Sequence, residues 1–159
     1  MDVIVATRLE GPALEAWRSF LQSHATIIRA LDAELLAEHG MTTRDYEVLL
    51  YLSQARDRRL PMSALAESTM LTRSGITRLV DGLVAGGVVE RVSCVNDARV
   101  SYARLTDAGY EKLRDAGCTH VASIRRLFLA HFTPGELDQL AALLSRLPGA
   151  SAGGACTAE

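Results

Sequence analysis

Aromatic residues are scarce, only 5 % of 159 residues, against 48 % hydrophobic residues in all. A core built without them is mostly Leu, Val, Ile and Ala, a mixture suited to helices packed on one another. Long hydrophobic runs are absent too. None approaches the roughly 18 residues a membrane span needs. The first ten residues carry no basic stretch and only a short apolar run, Val3 to Ala6, so a secretory signal is not expected. Cysteine is limited to Cys94, Cys118 and Cys156, an odd set without C-x-x-C spacing. That argues against a disulfide framework or a zinc site, and a reduced cytoplasm is the simplest expectation. His39, His120 and His131 lack compact ligand spacing, so no metal is expected. No acidic pair or nucleophile–base arrangement stands out, so neither catalysis nor a cofactor is expected.

An excess of positive charge is also missing, since the formal net charge is −2. The charge is unevenly placed, however. From Arg56 to Arg104 there are eight arginines against five acids, a net of +3, which leaves −5 for the rest of the chain. A basic middle within an acidic whole focuses positive potential on one region, and local potential is what attracts phosphates.

The chain length suits one domain of ordinary size. Residues 1–11 read as a flexible start, and residues 148–159, rich in Gly, Ala and Ser, as a disordered tail. Six helices and one hairpin are predicted between them. The first helix runs from about Pro12 to Glu38, with Pro in its first turn and Gly40 as its stop. Leu14, Trp17, Leu21, His24, Ile28, Leu31 and Leu35 recur at alternating steps of three and four, a heptad seam with one histidine in it. At about 1.5 Å per residue this helix is about 40 Å long. It outruns a small core, which predicts that part of it packs on another subunit. A second helix, capped by Thr42 or Thr43, extends to about Ala55. Arg56 to Arg59 read as a solvated loop. The third and fourth helices cover about Met62–Thr69 and Thr72–Ala85, and Gly86-Gly87 ends the latter. Two β-rich runs, Val88–Val95 and Val100–Leu105, flank the polar tip Asn96–Arg99 and predict a hairpin. A fifth helix opens at Thr106-Asp107 and runs to about His131. A sixth starts at the capping box Thr133–Glu136 and runs to Leu147, where Pro148 stops it. Cys94 and Cys118 are expected to be inert packing residues.

Two short helices separated by a polar cap and followed by a hairpin have the order of a winged helix-turn-helix. The fold class is therefore mainly α with a small β-hairpin wing. In the fourth helix Leu71, Ile76, Leu79, Val80 and Leu83 are able to face inward. Thr72, Arg73, Ser74, Thr77 and Arg78 then face outward. Small hydroxyls allow close approach to base edges, and Arg reaches a guanine edge or a phosphate. The helix N-terminus adds phosphate affinity through its unpaired N–H groups. Arg99, at the tip of a thin hairpin, has a shape suited to a minor groove.

At this point the sequence resembles the MarR-type regulators. The resemblance rests on Ser63–Glu67, Thr77–Leu83, Gly87–Arg91, Asp97-Ala98-Arg99 and Leu105–Gly109, in that order and spacing, and covers about residues 12 to 147. It implies a triangular homodimer whose terminal helices, residues 12–40 and 107–147, interlock and carry a DNA-binding lobe at 42–106. It implies a palindromic double-stranded operator, and release by a small ligand or oxidant. The major-groove candidates are Thr72, Arg73, Ser74, Thr77 and Arg78, and Asp97 braces Arg99 at the wing tip. In the family, effectors bind between the dimer helices and the DNA-binding lobe. Trp17, His24 and Tyr46 lie on elements bordering such a crevice, suited to an aromatic ligand. The alternatives for Trp17 and Tyr46 are core packing, and for His24 a hydrogen-bonded interface. The redox-sensing branch carries its reactive Cys near the start of the first helix, where this chain has none. The expected function is a dimeric, sequence-specific transcriptional repressor in the cytoplasm. A thiol-responsive regulator and a winged-helix interaction module without DNA are the alternatives.

Overall fold

The computed structural model describes residues 8–93 and 100–149. The polypeptide divides into two compact units, with the boundary after Val121. The first helix, α1, spans Gly11–His39 and ends on Gly40 at φ 62°, a left-handed conformation that costs glycine nothing. Thr42 caps α2 (Thr43–Gln54) through a reciprocal capping box with Asp45. Asp32 of α1 accepts from both the backbone N–H (2.7 Å) and the hydroxyl of Thr43. The two helices are thus joined at the first turn of α2.

The segment Arg56–Arg59, expected to be a solvated loop, is structured. A 3-10 turn covers Arg56–Arg58, and Arg59–Pro61 forms a short strand, β1. Three residues are too few to show strand alternation in sequence, and Pro61 points away from a strand reading. The pairing is supplied by a distant segment: Arg59 lies opposite Arg104 and Leu60 opposite Ala103. α3 (Met62–Ser68) and α4 (Arg73–Ala85) follow. The hairpin strands are β2 (Val89–Ser93) and β3 (Ser101–Leu105), paired from Val89↔Leu105 to Ser93↔Ser101. β3 therefore lies between β1 and β2 in an antiparallel three-stranded sheet.

The core of the first unit lies beneath the helix pair α3–α4. Val48, Leu49 and Leu52 of α2, Leu65 of α3, Ile76 and Val80 of α4 and Ala103 of β3 are all buried. Each large aliphatic side chain taken out of water contributes about 1.5–3 kcal/mol. Leu35 brings the last turn of α1 into the same interior and Leu31 is buried one turn earlier, whereas Trp17, Leu21 and Ile28 earlier on that helix stay exposed.

α5 (Asp107–Leu127) is shorter than the expected helix to His131. Phe128 leaves the helical region at φ −128° and a 3-10 turn covers Leu129–His131; the Phe128 ring lies 5.3 Å from that of Phe132. Cys118, expected to pack inward, is exposed. Leu113 and Ala116 are the buried residues of its helix face, and a step of two residues from Ala116 turns about 200° around the axis. The second unit contains α6 (Pro134–Leu144), started by the Thr133–Glu136 capping box. Hydrogen bonds from the Thr133 backbone and side chain hold the Glu136 carboxyl below the usual carboxylate range. α6 ends three residues before the expected Leu147, because Arg146 and Leu147 donate to carbonyls three residues back and tighten the last turn. No described helix is long and apolar enough to cross a membrane.

Candidate nucleic-acid interface

The outward face of α4 is assembled by its cap. The Thr72 hydroxyl accepts from the Gly75 N–H at 3.1 Å and lies 3.2 Å from the Ser74 hydroxyl. Ile76, Val80 and Leu83 bury the opposite face. With those three fixed inward, helical geometry places Thr72, Arg73, Ser74, Thr77 and Arg78 outward, and all five are exposed. Arg73, Ser74, Thr77, Arg78 and Asp81 line a shallow depression of about 450 Å³. The Thr77 hydroxyl donates to the Arg73 carbonyl at 2.8 Å, which commits its proton and leaves its lone pairs open. Neither Arg73 nor Arg78 has a hydrogen bond or ion pair within the described residues. Both guanidinium groups, always charged and with five donors each, are thus available to an anion.

The hairpin is held to α4 by an ion pair that sequence reading did not single out. Arg91 of β2 donates from Nε (3.2 Å) and Nη2 (2.8 Å) to Asp81 Oδ1. The two residues sit ten apart, a separation that helical or strand spacing alone does not connect. On the same sheet Glu90 accepts from Arg104, its cross-strand neighbour. At the base of the hairpin Thr106 donates from its backbone to Val88 O (3.1 Å) and from its hydroxyl to Gly87 O (2.9 Å), and its hydroxyl accepts from Gly109 N–H (3.0 Å). A Cβ on Gly109 would stand 2.0 Å from Val88 O. Only glycine lets the first turn of α5 approach Val88, the residue before β2, this closely. The paired motifs around Gly87-Val88 and Leu105–Gly109 are two sides of one contact. The expected wing-tip residues Asp97 and Arg99, and Cys94 beside them, lie outside the described residues.

Of the three arginines expected to be solvated, Arg58 and Arg59 are engaged. Arg58 pairs with Asp107 at 3.0 Å and lies 4.3 Å over the Tyr110 ring. Arg59 lies 5.6 Å over the Tyr102 ring and 3.7 Å from Asp57. Both are still about half exposed or somewhat less.

The three expected effector residues fall into two groups. Trp17 and His24 flank Phe20 on α1, with successive ring centroids 6.3 Å apart. This ladder is open, and Trp17 is 50 % exposed. Tyr46 of α2 instead packs 4.4 Å from the ring of His120 on α5. His120 was unremarkable in sequence. Its Nδ1 is buried without a hydrogen-bond partner, and burial lowers its pKa from 6.5. Its neighbour Thr119 bonds both His39 (2.9 Å) and Glu38 (2.8 Å) at the end of α1. No metal-binding group of His, Cys, Asp and Glu occurs among the described residues.

Helices α3 and α4 joined by a tight turn, with a strand hairpin anchored to the second helix, define a winged helix-turn-helix protein. The profile of the MarR family matches residues 39–100. AbsC of Streptomyces coelicolor, a MarR-family transcriptional regulator, superposes with a TM-score of 0.82 at 33 % identity, covering 88 % of this chain and 95 % of that one. Sco3205, a MarR-family regulator of the same organism solved in complex with DNA, gives a TM-score of 0.83 at 32 % identity over 87 % of both chains. The transcriptional repressor YetL of Bacillus subtilis (strain 168) is 29 % identical over 111 residues, which span 70 % of this chain and 66 % of that protein. The chain belongs to the MarR family of transcriptional regulators, and these relatives are regulators rather than enzymes.

Proposed function

We propose that the chain is a homodimeric repressor that binds a palindromic operator in double-stranded DNA and is released by a small, aromatic ligand. One observation carries the DNA-binding part: the exposed face Thr72, Arg73, Ser74, Thr77 and Arg78, whose two guanidinium groups have no ion pair among the described residues. Protein surfaces ordinarily pair or disperse such charges. Here they flank small hydroxyls at a helix N-terminus, the combination that reads base edges in a major groove. Asp97 and Arg99 take the wing-tip roles, bracing and minor-groove insertion.

The dimer reading is supported by the open apolar stripe of α1. Trp17, Phe20, Leu21 and Ile28 are exposed on one helix, and an exposed apolar face of this kind marks an interaction surface that a second copy covers. The terminal helices, residues 12–40 and 107–147, supply the interface, and residues 42–106 the DNA-binding lobe. The ligand reading places Trp17, His24 and Tyr46 beside that interface. Repression follows the relative YetL, a transcriptional repressor.

The test is selection of bound sequences from random duplex DNA by the purified protein. The expected result is a palindrome with half-sites one helical turn apart, roughly 34 Å. A folded protein that recovers no motif overturns the reading.

A further inference from the structure

Among the described residues of the helix-turn-helix lobe, 42–93 and 100–106, a single large hydrophobic side chain is exposed. It is Met70, at 81 %, and it stands at the apex of the turn between α3 and α4. The others on the surface lie on α1, on α5 or nearer the two ends of the described chain. Met70 also adopts φ 52°, a left-handed conformation that a bulky side chain rarely takes and glycine takes freely.

The turn leaves it no alternative. Thr69 is 1 % exposed, and its hydroxyl donates to Leu65 O at 2.8 Å. Arg44 reaches from α2 to the Thr69 carbonyl at 3.3 Å. Met70 N–H donates to Glu67 O (3.1 Å) and Leu71 N–H to Ala66 O (3.0 Å). A fixed turn therefore projects an apolar thioether into solvent two residues before the Thr72 cap, at the end of α4 that carries the outward hydroxyls and Arg73. Strain that a glycine would relieve, held at the edge of a binding face, points from the outlier to a role for the side chain.

The inference rests on the DNA-binding reading above. We propose that Met70 is a specificity-determining residue that packs on the 5-methyl group of a thymine at the edge of the major-groove contact. That methyl is the apolar feature the major groove presents, and a polarizable, unbranched thioether adapts to it. Deoxyuridine differs from thymidine by this methyl alone, so the contact can be removed from either side.

The experiment measures affinity, by fluorescence anisotropy, for the selected operator and for versions with each thymidine replaced in turn by deoxyuridine. It uses the full chain and its Met70→Ala and Met70→Gly variants. In the parent, one deoxyuridine position in each half-site should weaken binding about fourfold, the factor for losing one buried methyl group. In Met70→Ala the same replacement should have no effect, and its affinity for the thymidine operator should be lower than that of the parent. Met70→Gly should melt at least as high as the parent while losing the same discrimination, which separates the contact from folding. Equal deoxyuridine effects in parent and Met70→Ala, or no effect in the parent, overturn the inference while DNA binding stands. A parent that binds no duplex overturns the DNA-binding reading and this inference with it.

Discussion

Arg73 and Arg78 occupy the same face of α4, yet a base contact and a phosphate contact leave different marks in a binding curve. An arginine on a guanine edge contributes about 1–3 kcal/mol of discrimination, and its loss relaxes preference at one base pair. An arginine on phosphate weakens all sequences alike, and its removal lowers the salt slope by about one. Replacing each by Ala, and measuring affinity for operator and random duplex over a salt series, assigns each role. Either substitution should weaken binding to the operator without lowering the melting temperature, because both side chains are exposed and have no partner among the described residues. Gly109 is the opposite case, a residue expected to matter for stability. Gly109→Ala places a methyl 2.0 Å from the Val88 carbonyl, and overpacking of this kind costs about 1–3 kcal/mol. Its melting temperature should fall by several degrees in calorimetry; an unchanged value would mean that the contact yields. His120 adds a pH dependence. Burial lowers its pKa below 6.5, so the folded state favours the neutral ring while the unfolded chain takes up the proton. Its contribution is constant above the unfolded value and is lost as pH falls through 6.5 toward the lower folded value. Thermal stability should therefore drop on acidification across that window, and His120→Gln should flatten that part of the profile.

At the scale of elements, the Asp81–Arg91 pair couples α4 to the hairpin. A partly exposed ion pair adds little to stability, about 0–1 kcal/mol, so its consequence is orientation. Asp81→Ala should leave the melting temperature nearly unchanged while lowering operator affinity, since the hairpin is no longer referenced to the helix. Exchanging the two charges in Asp81→Arg with Arg91→Asp should recover part of the loss. Affinity unchanged in Asp81→Ala would show that the sheet alone sets the hairpin angle. The elements were legible where periodicity or capping chemistry acts within a few residues. Thr42, one of the two expected candidates, caps the second helix, and Thr133 with Glu136 forms the expected capping box, while Thr72, expected as the first residue of its helix, is the cap just before it. β1 was not legible, because its three residues become a strand only through β3, more than forty residues later. The end of α5 was misplaced because helical periodicity continues past Leu127, where the backbone turns at Phe128.

For the whole molecule, net charge is a poor guide and charge placement a better one. A chain of net charge −2 is expected to bind duplex DNA with an affinity that falls steeply with salt, near −0.9 in log–log slope per phosphate neutralised. A flat response would remove the electrostatic part of the account. Association should depend on the α1 stripe. His24→Asp puts a charge beside Phe20 within the exposed apolar ladder, and sedimentation should show a shift from dimer to monomer. A dimer that persists would place the interface elsewhere.

Local chemistry written in the sequence determined the helices, their caps, the outward hydroxyl and arginine set of α4 and the order of elements, because each depends on neighbours within one or two turns. Tertiary structure alone decided the pairing of β1, the Asp81–Arg91 link, the close approach at Gly109 and the packing of Tyr46 on His120. These depend on distances between residues far apart in the chain, and a one-dimensional pattern carries no record of which distant groups a packed core brings within reach.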